Sequence, residues 1–131
     1  MKAAVVLLFA LTACGSAEPV ARDVAAPCTS LPAADPEASL PDGFPQLPGQ
    51  VLYGPASQGA TTIVFGRVEG DDFEATRDRL AGELEAAGYR LDGTDQEAVE
   101  AEAHFSTPRE GSVRVKQLCA GVLEVRYRLS G

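Results

Sequence analysis

Glu100, Glu102 and His104 stand at alternate positions, which places two carboxylates and an imidazole on one face of a strand. Those residue types can hold a metal ion. Same-face neighbours along a strand lie about 6.5 to 7 Å apart, however, too far for three of them to share one ion. Arg114, Lys116, Arg126 and Arg128 offer the other outcome, cross-strand ion pairs with those carboxylates if their strands lie alongside. His104 is the only histidine, so a zinc site of two or three histidines is excluded and the ring is expected on the surface. Asp92, Asp95 and Glu97 share acidic character with a calcium loop but lack its one-three-five spacing and closing glutamate, which leaves an ordinary turn. Gly54 to Gly59 has the glycine spacing of a phosphate loop without the Lys-Ser/Thr that must follow. No Gly-x-Ser-x-Gly elbow occurs. The expectation is no catalytic residue, no metal site and no cofactor, with a carboxylate pair assembled in space as the open alternative.

Cysteine chemistry is more informative. Lys2 supplies a short positive start, and Ala3 to Leu11 form an unbroken apolar run too short to span a bilayer stably. The run ends in Leu11-Thr12-Ala13-Cys14, which resembles the lipobox of a bacterial lipoprotein signal. That resemblance implies a diacylglycerol on the Cys14 thiol, cleavage just before it, and attachment to the cell membrane on its extracytoplasmic face. The competing reading is an ordinary cleaved signal with a chance cysteine. There are three cysteines, an odd number that leaves one thiol over in an oxidising compartment. Lipidating Cys14 leaves Cys28 and Cys119, expected to pair; free thiols or an intermolecular bridge are the alternatives.

The formal charge is −8, and −9 without Lys2. An acidic chain lacks the clustered Lys or Arg that nucleic acid or a polybasic grip on anionic lipid requires. Arg outnumbers Lys, and Ala, Gly and Asp are frequent, as in GC-rich, actinobacterial genomes. Hydrophobic residues at 45% and charged residues at 23% fit a globular domain. Residues 1–13 therefore read as the signal, 14–41 as the lipidated cysteine with a tether rich in Ala and Pro, and 42–131 as one small domain. Prolines 41, 45 and 48 favour extended backbone, with Phe44 and Leu47 docking the incoming chain on the core.

Within the domain, Gln50 to Tyr53 start a strand, 54–59 form a loop, and Thr61 to Glu69 alternate as a central strand. Asp71 is expected to cap a helix over 72–87, with Glu74 completing a capping box and Gly88 ending it. The helix stripe is Phe73, Thr76, Leu80, Leu84 and Ala87, while Glu74, Arg77, Asp78, Glu83 and Glu85 face water. Asp92 to Asp95 read as a turn. Val99, Ala101, Ala103 and Phe105 alternate inward in the next strand. Val113, Val115 and Cys119 follow in another, and Leu123, Val125, Tyr127 and Leu129 in the last. The fold class is α+β: an antiparallel sheet in the order β-β-α-β-β-β, with one helix packed on one face in two layers.

Pro45-Gln-Leu-Pro-Gly49 and Leu84-Glu-Ala-Ala-Gly-Tyr89 are similar to short motifs of a module found in small bacterial lipoproteins, over residues 41–129. The resemblance implies fold and location but no site residue. The functional expectation is a membrane-anchored, non-catalytic interaction module of the cell envelope. The alternative is a small-ligand or cation receptor.

Overall fold

The computed structural model describes residues 25–131; Leu11-Thr12-Ala13-Cys14, the stretch expected to be a lipobox, lies outside them. Six strands form one antiparallel sheet: β1 (Val51–Gln58), β2 (Thr61–Glu69), β3 (Arg90–Gln96), β4 (Glu100–Thr107), β5 (Gly111–Cys119) and β6 (Val122–Ser130). A single helix, α1 (Phe73–Ala86), separates β2 from β3. Neighbours in the sheet run β1-β2-β6-β5-β4-β3. The sequence order thus contains one strand more than expected. β3 lies where the sequence predicts a turn over 92–95, because its side chains are exposed apart from half-buried Leu91 and so carry no apolar period. β1 also runs further than expected, through Gln58, with an irregularity between Tyr53 and Ala56. That irregularity takes in Pro55, and a residue without an N–H is tolerated on an edge strand.

The alternating residues of β4, β5 and β6 build the core as the period-two pattern requires. Ala101, Ala103, Phe105, Val113, Val115, Leu123, Val125, Tyr127 and Leu129 are all buried. Val99 does not join them. It sits in the turn closed by Glu97 N–H donating to the Glu100 carbonyl, before β4 begins, and is 65% exposed.

The helix packs on β3, β4 and β5 through Phe73, Arg77, Leu80, Ala81 and Leu84. Its cap is Asp72 rather than Asp71: the Asp72 carboxylate accepts from Ala75 N–H at 2.9 Å. The residue three beyond the cap is then Ala75, which has no side-chain acceptor, so the expected capping box is replaced by a simple cap. Asp71 instead accepts from Gly121 N–H at 3.0 Å, tying the helix start to the β5–β6 turn. At the other end Gly88 adopts φ +94, Tyr89 N–H reaches the Leu84 carbonyl and Gly88 N–H the Glu85 carbonyl, a Schellman stop at the expected glycine.

Phe44 and Leu47 dock the incoming chain on the core side of the sheet. Phe44 makes edge contacts with Tyr89 and Tyr127 and a tilted one with Phe105. Upstream, the stretch read as tether is held from Ala26 onward. Ala26 accepts from Ala120 N–H, Cys28 is bonded to Cys119, the Pro32 carbonyl accepts from Arg67 Nε, and Asp35 N–H donates to the Leu52 carbonyl. Gly111 shows why one position in β5 must be small: a Cβ there would meet the Arg128 carbonyl and the Phe105 ring.

Candidate functional site

α1, Phe44 and Leu47 all lie on one side of the sheet, where the buried residues of β4 to β6 point. The opposite face carries the alternate residues, and the register places them in rows. One row runs Val51, Arg67, Glu124, Lys116, Glu100; the next runs Tyr53, Phe65, Arg126, Arg114, Glu102, Asp95; the third includes Ile63, Arg128, Ser112 and His104.

Strand alternation brings Glu100, Glu102 and His104 onto this face together, and cations from β5 and β6 meet the carboxylates. Arg114 Nε lies 3.5 Å from Glu100 Oε2, and Arg126 reaches past Arg114 to place Nη2 3.6 Å from Glu102 Oε1. Lys116 pairs with Glu124 rather than with Glu100 or Glu102, at 3.4 Å. Arg128 is exposed, and among the described residues it forms no ion pair. The Nε atoms of Arg114 and Arg126 are buried without a hydrogen-bond partner, so these pairs are held by charge rather than by well-formed hydrogen bonds. His104, expected on the surface, is half-exposed, and its Nε2 lies 2.8 Å from Asp95 Oδ2 on β3. Asp92 accepts from Ser106 Oγ at 2.9 Å, so the two aspartates tie β3 to β4 instead of forming a loop.

Sequence reasoning missed several polar groups that organise the structure. Arg77, expected to face water, is 7% exposed; its Nη1 donates to the Asp95 carbonyl at 2.8 Å and its Nε to Asp78 at 2.7 Å. Tyr127 donates to Gln50 Oε1 at 2.8 Å, and Tyr53 to Glu124 at 3.1 Å. Burial raises the Tyr127 hydroxyl above the ordinary tyrosine range. Burial also raises Tyr53, reinforced by the negative charge of Glu124. The Gln117 amide donates to the Cys119 and Val122 carbonyls and fastens the β5–β6 turn. An apolar period cannot mark any of these, because their partners are set by tertiary register.

Two depressions mark the open face. One, of about 260 Å³, is lined by Asp95, Gln96, Glu97, Glu100 and Glu102. The other, of about 130 Å³, is lined by residues that include His104, Glu110, Ser112 and Arg128. Among the described residues no group of three or more His, Cys, Asp or Glu side chains is gathered as metal ligands. No described helix is long and apolar enough to cross a membrane. Cys28 and Cys119 form a disulfide with Cα atoms 5.1 Å apart. Comparison with family models, with characterised proteins and with solved structures finds no match.

Proposed function

We propose that this chain is a lipid-anchored module on the extracytoplasmic face of a bacterial cell membrane, a two-layer domain that works by binding an envelope partner rather than by catalysis. One observation carries the reading. The Cys28–Cys119 disulfide uses two of the three cysteines, and the one left over is Cys14, the last residue of Leu11-Thr12-Ala13-Cys14. A disulfide suits an oxidising compartment outside the cytoplasm, and a thioether-linked lipid accounts for the odd thiol. The open sheet face, charged across β4 to β6 and touched by the incoming segment where Pro32 meets Arg67, is the surface the reading assigns to the partner.

Affinity capture of the full-length tagged protein from detergent-solubilised envelope tests it. A specific partner whose capture is lost on Arg128→Glu supports the reading, since Arg128 is exposed and its replacement leaves the core untouched. Absence of any specific partner contradicts it. A second reading, a small-ligand or cation receptor, is favoured by the acidic depression at Asp95, Glu97, Glu100 and Glu102. A rise in melting temperature with calcium or a metabolite would select it over the first.

A further inference from the structure

We infer that the end of the domain carrying the β5–β6 turn rests on the lipid bilayer, so that the β1–β2 and β4–β5 turns point away from it. The placement rests on the anchoring of Cys14 proposed above. It follows from where the described chain begins. Ala26 is bonded to Ala120, and Cys28 to Cys119, so the chain enters beside the β5–β6 turn. From there the segment crosses the same end of the sheet. It touches Arg67 near the close of β2 through Pro32, then Leu52 near the start of β1 through Asp35. The loop before the helix belongs to this end too, since Gly70 N–H donates to the Gly121 carbonyl and Asp71 accepts from Gly121 N–H.

Cys14 lies eleven residues before Ala25, which sets an upper bound of about 40 Å between the lipid and this entry point. A nine-residue strand such as β6 is roughly 27 Å long. Seating the far end on the bilayer would therefore require about two-thirds of that contour to be drawn out along the domain.

A second, independent observation points to the same end. Leu31 and Val99 are the exposed large hydrophobic side chains among the described residues, at 40% and 65%. Leu31 lies between Cys28 and the Pro32 contact, and Val99 lies in the β3–β4 turn just before Glu100, which pairs with Lys116 towards the close of β5. Both therefore sit at the end where the chain enters, the place where apolar side chains can dip between headgroups. Glu69, Asp71, Asp72 and Glu97 share this end, so the surface it fits is a bilayer of neutral rather than anionic headgroups.

The test uses the full-length protein, purified from the cell envelope and reconstituted into phosphatidylcholine vesicles containing a headgroup-labelled energy acceptor. A donor dye is placed on a genetically encoded azide side chain at position 97 or, separately, at position 58. Position 97 should lie nearer the headgroup plane than position 58 by on the order of 20 Å, and Leu31→Asp with Val99→Asp should reduce that difference. Both substituted positions are exposed, and an unchanged far-ultraviolet spectrum checks the fold. Equal distances, or position 58 nearer, would overturn the placement while leaving the anchor intact. Protein that fails to float with the vesicles would overturn the anchoring itself, and the placement with it.

Discussion

Arg77 shows what one side chain can do that its position in a helical wheel conceals. It lies four residues after Phe73 and seven before Leu84, on the buried stripe, and its guanidinium reaches the carbonyl of Asp95 on β3. That bond caps a backbone acceptor on an edge strand, where an unpaired carbonyl invites another chain. Charged residues in a helix are ordinarily read as solvent-facing. The reading failed here because the partner of Arg77 lies on a strand that the sequence did not reveal. Arg77→Met, which keeps much of the apolar stem, is expected to cost about 1–3 kcal/mol in urea unfolding, the range for leaving a hydrogen-bonding group unmatched.

Tyr127 belongs to the same scale and carries the pH dependence. Its hydroxyl is raised by burial, so above pH 10 or so the unfolded chain loses this proton while the folded chain keeps it. The folded state then binds more protons, and stability falls as pH rises. Below the unfolded value the contribution is fully present. Denaturant titrations from pH 8 upward should show a plateau followed by a decline, and Tyr127→Phe should flatten that decline. Tyr53, raised in the same direction but nearer to solvent, should contribute a smaller total loss over a narrower pH range.

At the scale of elements, alternation and capping chemistry made most of the sheet and the helix legible. Val113, Val115, Leu123, Val125 and Tyr127 follow a period of two because one face is buried and the other carries ion pairs. The β3 strand was hidden because Asp92, Gly93, Thr94 and Asp95 are turn-forming types with little to bury. They become a strand by pairing with β4 and by the side-chain bonds of Asp92 to Ser106 and Asp95 to His104. The helix start was legible only to within one residue, since Asp71 and Asp72 are chemically equivalent as caps and the β5–β6 turn claims the first. Asp72→Ala should therefore destabilise by about 1 kcal/mol through the lost cap. Calorimetry that instead gave Asp71→Ala the larger helix-specific loss would reverse this assignment. On the open face, Glu102→Gln should cost at most about 1 kcal/mol and less in high salt, as partly exposed pairs do.

For the whole molecule, the disulfide joins positions 91 residues apart and fastens the incoming chain to the end of β5. In the chain-entropy description a loop of that size is worth about 4–5 kcal/mol. The Cys28→Ala, Cys119→Ala double variant should lose stability of that order, read from the shift in urea midpoint at constant slope. A loss below about 1 kcal/mol would mean that the hydrogen bonds at Pro32 and Asp35 and the docking of Phe44 already fix the segment. The cysteine pairing was legible from an odd count together with the resemblance of residues 11–14 to a lipobox. The attachment of residues 26–35 was not, because those prolines and small residues have no period and make their contacts through backbone carbonyls and amides. The open face was legible as a set of charges but not as a lattice: which cation meets which carboxylate depends on register and side-chain reach.

The claim on which the function depends is the lipid on Cys14, and intact mass of the protein from its native membrane tests it most directly. The expected result is a mature chain beginning at Cys14 with diacyl or triacyl modification, and accumulation of the uncleaved precursor under globomycin. A soluble protein beginning at or after Cys14 with no added lipid would contradict it.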